Sequence, residues 1–230
     1  MTVKYHNDLE QGSDAWRECR RGLITASEMK LLISHTLKLN ATDKEKAHVL
    51  ELAAQRVSGF VEDYYVTDDM TRGNADEIRA KAKYQEVYKT EITDVGFITN
   101  DKFGLTIGYS PDGLIGGDGC VECKSRRQKF QIDTIATYRV PDAHIIQVQT
   151  GLMVSERKWC DFVSYSGGWP MTTIRVYPDQ KIQEAIFQAA YKFEKRIKEV
   201  IKNYEERIAL MPNAFIPTER VIDTGEIQDE

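Results

Sequence analysis

The chain has 230 residues, 41% of them apolar and 29% charged, and a formal net charge of −5. That length suits one well-buried α/β core with decorating helices, and the composition excludes a disordered or fibrous chain. No run approaches the roughly 18 consecutive apolar residues of a membrane span, and the N-terminus lacks a signal-peptide core, so a cytosolic protein with no membrane role is expected.

In chain order, Thr25-Ala-Ser-Glu28 has the T-x-x-E spacing of a capping box and leads into Met29, Leu31, Leu32 and Ile33, which predicts a helix start. Helices are expected over Lys44 to Val57 and Asn74 to Tyr88. Short β-type runs follow at 95–99, 104–110 and 120–125, broken by glycines and by Pro111-Asp112-Gly113, which reads as a hairpin or meander. Ala143 to Val154 reads as a helix, Trp159 to Tyr165 and Thr172 to Tyr177 as strands. Ile182, Ile186, Ala189, Phe193, Ile197, Val200, Tyr204 and Ile208 recur at three-to-four spacing, giving a long amphipathic helix that ends before Pro212. The order implies an α/β (α+β) fold with a central mixed sheet flanked by helices. Residues 1–217 read as one domain and 218–230 as a flexible acidic tail.

The tail carries Glu219, Asp223, Glu226, Asp229 and Glu230 against Arg220, which accounts for −4 of the −5 charge. The body is therefore close to neutral, and a basic groove on it is compatible with phosphate binding. Cys120 and Cys123 are followed by no second ligand pair, so all four cysteines are expected as free thiols rather than a zinc site.

The chemistry concentrates in Ser110-Pro-Asp-Gly113 and Val121-Glu-Cys-Lys124. Glu122 and Lys124 are two apart on a strand and share a face, and a hairpin can bring Asp112 opposite them. Two carboxylates plus a backbone carbonyl make a hard oxygen site suited to magnesium. Such a site serves phosphodiester hydrolysis, with Lys124 orienting the attacking water or stabilising charge on the phosphate. The spacing alone is weak; the Pro-Asp-Gly turn beside a short β run raises it.

Glu10 to Trp16, Arg20 to Glu28, Gly73 with Glu77, Ser110 to Gly113, Glu122 to Lys124 and Gln147-Val-Gln149, in that order, resemble the phage lambda exonuclease family, the YqaJ-like viral recombinases, over about residues 9 to 165. The resemblance implies a restriction-endonuclease-like core of the PD-(D/E)xK type. It implies degradation of linear duplex DNA from 5′ ends to leave 3′ overhangs, usually by a ring-shaped homotrimer paired with a single-strand annealing recombinase. By resemblance Asp112, Glu122 and the Cys123 carbonyl bind Mg2+, with Mn2+ a candidate substitute. Lys124 acts on the water, Gln147 supports it, and Glu77 lies near a second metal position. Arg20 and Ser27 match residues that hold the 5′-phosphate, Trp16 is a candidate lining residue, and Met70 falls at an apolar wedge. Arg126 and Arg127 lie where a DNA backbone would pass. Asp101 is placed against a further family aspartate only loosely, and His144 stands where a Tyr is expected. The implied setting is a bacterial host cell, with a phage or prophage source.

Several of these residues have plain roles of their own. Thr25 and Ser27 are ordinary caps, Glu77 an ordinary helix-surface charge, Gln147 an ordinary polar edge, and only the resemblance promotes them. Ser27, in the first turn of the expected helix, would offer a phosphate free N–H groups, with Arg20 adding a bidentate contact. The metal triad alone does not set polarity. A structure-specific endonuclease, a 3′-directed nuclease of the same superfamily and a non-catalytic DNA-end-binding recombination protein are the competing functions.

Overall fold

The computed structural model describes residues 2–62, 68–102 and 104–220, with the backbone alone for 68–70. Met70, in the first turn of a helix by its backbone, has its side chain outside the described residues, as does most of the acidic tail.

Hydrogen bonding divides the strands into two mixed four-stranded sheets rather than one. The first holds β1 (Val3–His6), β2 (Ile24–Thr25), β3 (Phe97–Asn100) and β4 (Ile107–Tyr109) in the order β1-β3-β4-β2. The second holds β5 (Gly113–Ile115), β6 (Gly119–Ser125), β7 (Trp159–Tyr165) and β8 (Thr172–Val176) in sequence order. The expected meander is therefore split: β3 and β4 pair in one sheet, β5 and β6 in the other, and Ser110–Asp112 is the step between them. β6 and β7 run parallel, joined by a crossover through α5 (Gln128–Thr137) and α6 (Asp142–Ser155).

The central helix α6 is buried from Ile146 to Ser155 and packs on β3, β4 and β7. Its polar Gln147, Gln149, Thr150 and Ser155 are buried with the apolar residues, and each has a hydrogen-bond partner, as burial requires. α7 (Gln180–Leu210) turns its apolar stripe of Ile186, Ala189, Phe193 and Ile197 inward and packs on α3 (Asp43–Ser58) and α6. α4 (Asp68–Tyr88) lies against β6 and β7. Its Tyr84 hydroxyl donates to the buried Asp161 on β7, which Arg175 on β8 also holds through two hydrogen bonds of 2.8 Å.

The expected helix after Thr25 is a single turn, α2 (Met29–Leu32), and the capping box does not form. Thr25 is used by β2, which pairs parallel with β4, and its hydroxyl donates to the Glu28 carboxylate instead of accepting a backbone N–H. Ser27 accordingly precedes the helix rather than sitting in its first turn. Among the described residues no helix is long and apolar enough to cross a membrane.

Candidate active site

The register Gly113↔Val121 places Asp112 one step beyond β5, facing Glu122 on β6. Its turn is pinned from the N-terminal segment, where Ser13 caps α1 (Asp14–Arg20). Gln11 Nε2 donates to Pro111 O at 2.8 Å, and Trp16 Nε1 donates to Ser110 Oγ at 3.0 Å. Asp112 Oδ2 accepts the backbone N–H of Cys123 at 2.5 Å, which couples the turn to the middle of the strand.

Glu122 is fully buried and carries three donors: Tyr109 Oη at 3.2 Å, Gln147 Nε2 from α6, and Lys124 Nζ at 2.5 Å. A carboxylate in this position requires such partners, because an unpaired buried charge costs several kcal/mol. The i, i+2 geometry of a strand makes the Glu122–Lys124 contact possible. Burial pushes Asp112 well above the usual carboxylate range, and repulsion from Glu122 and Glu77 adds to it against the pull of Lys124 and the Cys123 N–H. Burial would lower Lys124, but the Glu122 and Asp112 carboxylates outweigh it and hold the ammonium above its ordinary range.

Glu77 on α4 faces the same site, is raised by burial, and lies 3.8 Å from Lys81 Nζ, whose closer partner is Asp94 at 2.7 Å. These residues and Asp112 line a cleft of ≈ 490 Å3. Among the described residues, no three His, Cys, Asp or Glu side chains are gathered at ligand spacing. A divalent cation fits the donor chemistry nevertheless. Burial raises Asp112 first and repulsion from Glu122 and Glu77 adds to it, so a cation among these hard oxygens would relieve both. The Cys123 thiol is raised by burial and then by these carboxylates, so it stays protonated and only its carbonyl is a suitable donor. All four cysteines are free.

The Arg20 guanidinium stacks 4.2 Å over Trp16, and its Nη1 donates to Ser110 Oγ at 3.3 Å. Trp16, Arg20, Ser27, Ser110 and Gln147 share one small pocket of ≈ 160 Å3, so the anion-anchoring candidates adjoin the residue that holds Glu122. Arg126 follows β6 and contacts His144; Arg127 is exposed at the N-cap of α5. Asp101 is not in the site. It lies at the far end of the β3–β4 hairpin, where it accepts the Thr2 N–H at 2.8 Å. Sequence reasoning gave no role to Tyr109 or Lys81. Tyr109 had a signal of sorts, three residues before Asp112 in a β run, but its contact with Glu122 joins two sheets and has no sequence spacing to reveal it.

The family model of the YqaJ-like viral recombinase domain matches residues 15–158, a stretch that contains Arg20, Glu77, Asp112, Glu122, Lys124 and Gln147. No curated protein matches the chain by sequence. Among solved structures, the alkaline exonuclease LHK-Exo from Laribacter hongkongensis is 27% identical, with a TM-score of 0.77 over 86% of this chain and 100% of its own. Its complex with dAMP gives 28% identity and a TM-score of 0.78 over the same shares. A phage-related exonuclease from Haemophilus somnus 129PT shares the fold at 13% identity, with a TM-score of 0.59 over 79% of this chain and 96% of its own. With an exonuclease fold over most of its length and a family match across the whole candidate site, the chain belongs to the family of YqaJ-like viral recombinase domains.

Proposed function

We propose that the protein is a magnesium-dependent 5′-to-3′ exonuclease that degrades one strand of linear duplex DNA and leaves 3′ overhangs for single-strand annealing recombination. The observation that carries this reading is the Lys124 ammonium on the buried Glu122 carboxylate beside Asp112. The exonuclease relative solved with dAMP, a nucleoside monophosphate of the kind such an enzyme would release, supports the same reaction class.

Asp112, Glu122 and the Cys123 carbonyl would hold the ion, with Glu77 near a second position. A bound divalent ion supplies Lewis acidity to the phosphoryl oxygen and to the attacking water. Gln147 and Tyr109 fix the Glu122 carboxylate by donating to its two oxygens. Lys124 presents N–H donors to the water or to the oxygen on which charge develops. Arg20 and Ser27 hold the terminal phosphate. A ring-shaped homotrimer working with an annealing recombinase completes the proposal; sedimentation showing only monomer at micromolar concentration would remove the ring.

Digestion of linear against covalently closed circular duplex, with Mg2+ or with EDTA, tests the activity. Linear DNA should be consumed only with Mg2+ while the circle survives. Lys124→Ala and Glu122→Gln should each lower the rate by about a hundredfold or more, the usual effect of removing an electrostatic contact from a preorganised site. Equal loss of circle and line would overturn the exonuclease assignment, and normal turnover in either variant would overturn the site.

A further inference from the structure

Arg126 leaves the catalytic strand one residue after β6 and is held by neutral groups. Its backbone N–H donates to Tyr165 O at 2.7 Å, its Nη1 lies 2.8 Å from His144 Nε2, and its guanidinium carbon lies 5.1 Å from the Phe130 ring centre. Its Nε is buried without a hydrogen-bond partner among the described residues. Burial pulls its pKa down, and Asp133, the one acid that opposes this, makes no ion pair with it. A partly desolvated guanidinium with no counter-charge in ion-pair contact is prepared for an anion.

The group that holds it comes from α6. His144 stands one turn before Gln147, so the two project from one helix face, Gln147 to Glu122 and His144 to Arg126. The ring packs 5.5 Å from Phe162. Burial first, then Lys124, Arg126 and Lys30, disfavour the imidazolium and bring its pKa to about 3. A neutral ring beside a guanidinium must accept on Nε2, which leaves the proton on Nδ1.

We propose that His144 is a positioning residue, aiming the Arg126 guanidinium beside Lys124 at a backbone phosphate of the strand being cut, in a subsite separate from the Arg20 pocket. The proposal rests on the nuclease reading above. It predicts affinity without sequence preference, because phosphate contacts position the strand and carry no base information.

The test measures anisotropy of a labelled linear duplex in EDTA, together with steady-state cleavage in Mg2+, for wild type, Arg126→Ala, His144→Ala, the double variant and His144→Gln. Each alanine variant should weaken binding about tenfold, the worth of one charge-assisted contact. KM should rise by the same factor and kcat should change less. The double variant should bind no worse than Arg126→Ala, because the two side chains act as one unit. His144→Gln places an amide oxygen where Nε2 stands and should restore most of the loss. Unchanged binding by His144→Ala, or a double-variant loss equal to the product of the single losses, would overturn the proposal. Should His144→Ala fail to fold, His144→Phe against His144→Gln carries the same contrast, and equal binding by these two would overturn it. A wild type that binds duplex without cutting it defeats the nuclease reading alone, whereas cutting with a flat binding series defeats the subsite alone.

Discussion

Burial drives Asp112 and His144 toward the same neutral form from opposite sides, so the two respond to pH with opposite signs. Asp112 is raised, by burial and then by Glu122 and Glu77, so the metal-free fold must accept an unfavourable charge there as pH rises through the ordinary carboxyl range. His144 is lowered to about 3, by burial and then by Lys124, Arg126 and Lys30. The unfolded chain takes up its proton near about pH 6.5, while the folded chain refuses it until far lower. The stability linked to His144 is therefore complete above that ordinary value and is lost as pH falls from about 6.5 toward about 3. His144→Gln has no titrating ring but keeps an acceptor at the Nε2 position for Arg126. Urea midpoints should thus fall more steeply for wild type than for His144→Gln between about pH 7 and about pH 4, by at most about 1 kcal/mol per pH unit because the ring is partly exposed. Parallel curves would mean that His144 protonates in place, against Arg126, and would contradict the neutral ring.

At the scale of elements, the spacing between α6 and the first sheet is set at Gly151. A Cβ there would stand 2.6 Å from Cζ of Tyr109, a fully buried ring whose hydroxyl donates to Glu122. Gly151→Ala gains roughly 1 kcal/mol of helix propensity. It should still cost about 1–3 kcal/mol by overpacking, because the ring has nowhere to move. Turnover should fall with it, since Tyr109 and Gln147 are displaced together from the Glu122 carboxylate. Denaturant unfolding and kcat on one duplex check both, and a variant as stable and as active as wild type would show that the contact relaxes freely. Contacts of this kind explain what was legible in the sequence. The long elements were: α3, α4, α6, β7 and α7 follow local periodicity, as does the Glu122–Lys124 pair two apart on β6. β1 was not, because its four residues pair with β3 nearly a hundred positions away. α5 was hidden by the basic run that opens it, and α1 lay unread within the motif block that contains Trp16. The Thr25 capping pattern misled because a long-range parallel pairing with β4 claimed the residue first. The division into two sheets was equally invisible, since alternation reports faces and not partners.

For the molecule as a whole, the proposed 5′-to-3′ direction rests on the position of the Arg20 pocket relative to the acidic centre. Trp16 is a shared wall. On one side lies the ≈ 160 Å3 pocket of Arg20, Ser27, Ser110 and Gln147, and on the other the ≈ 490 Å3 cleft of Glu77, Lys81 and Asp112. With a net charge of −5, bulk attraction would not hold DNA, so the proposed activity requires that local groups capture the end. Because α2 is one turn long and begins after Ser27, no helix N-terminus serves the pocket, and the guanidinium stacked on the indole is its main source of positive charge. A terminal phosphomonoester carries more charge than an internal phosphodiester, and a planar guanidinium can grip it bidentately. Wild type should therefore digest 5′-phosphorylated linear duplex faster than the matched 5′-hydroxyl duplex. Arg20→Ala should slow the phosphorylated substrate by about ten- to a hundredfold, the worth of a charged hydrogen bond, and shrink the difference between the two ends. Ser27→Ala should do the same more weakly, while Lys124→Ala stops both. In the proposed reaction an anchor on this side, next to the acidic centre through Gln147, would draw the strand forward after each cleavage and so set the polarity. Equal wild-type rates on the two ends would remove the anchor and, with it, the physical ground for 5′-to-3′ travel.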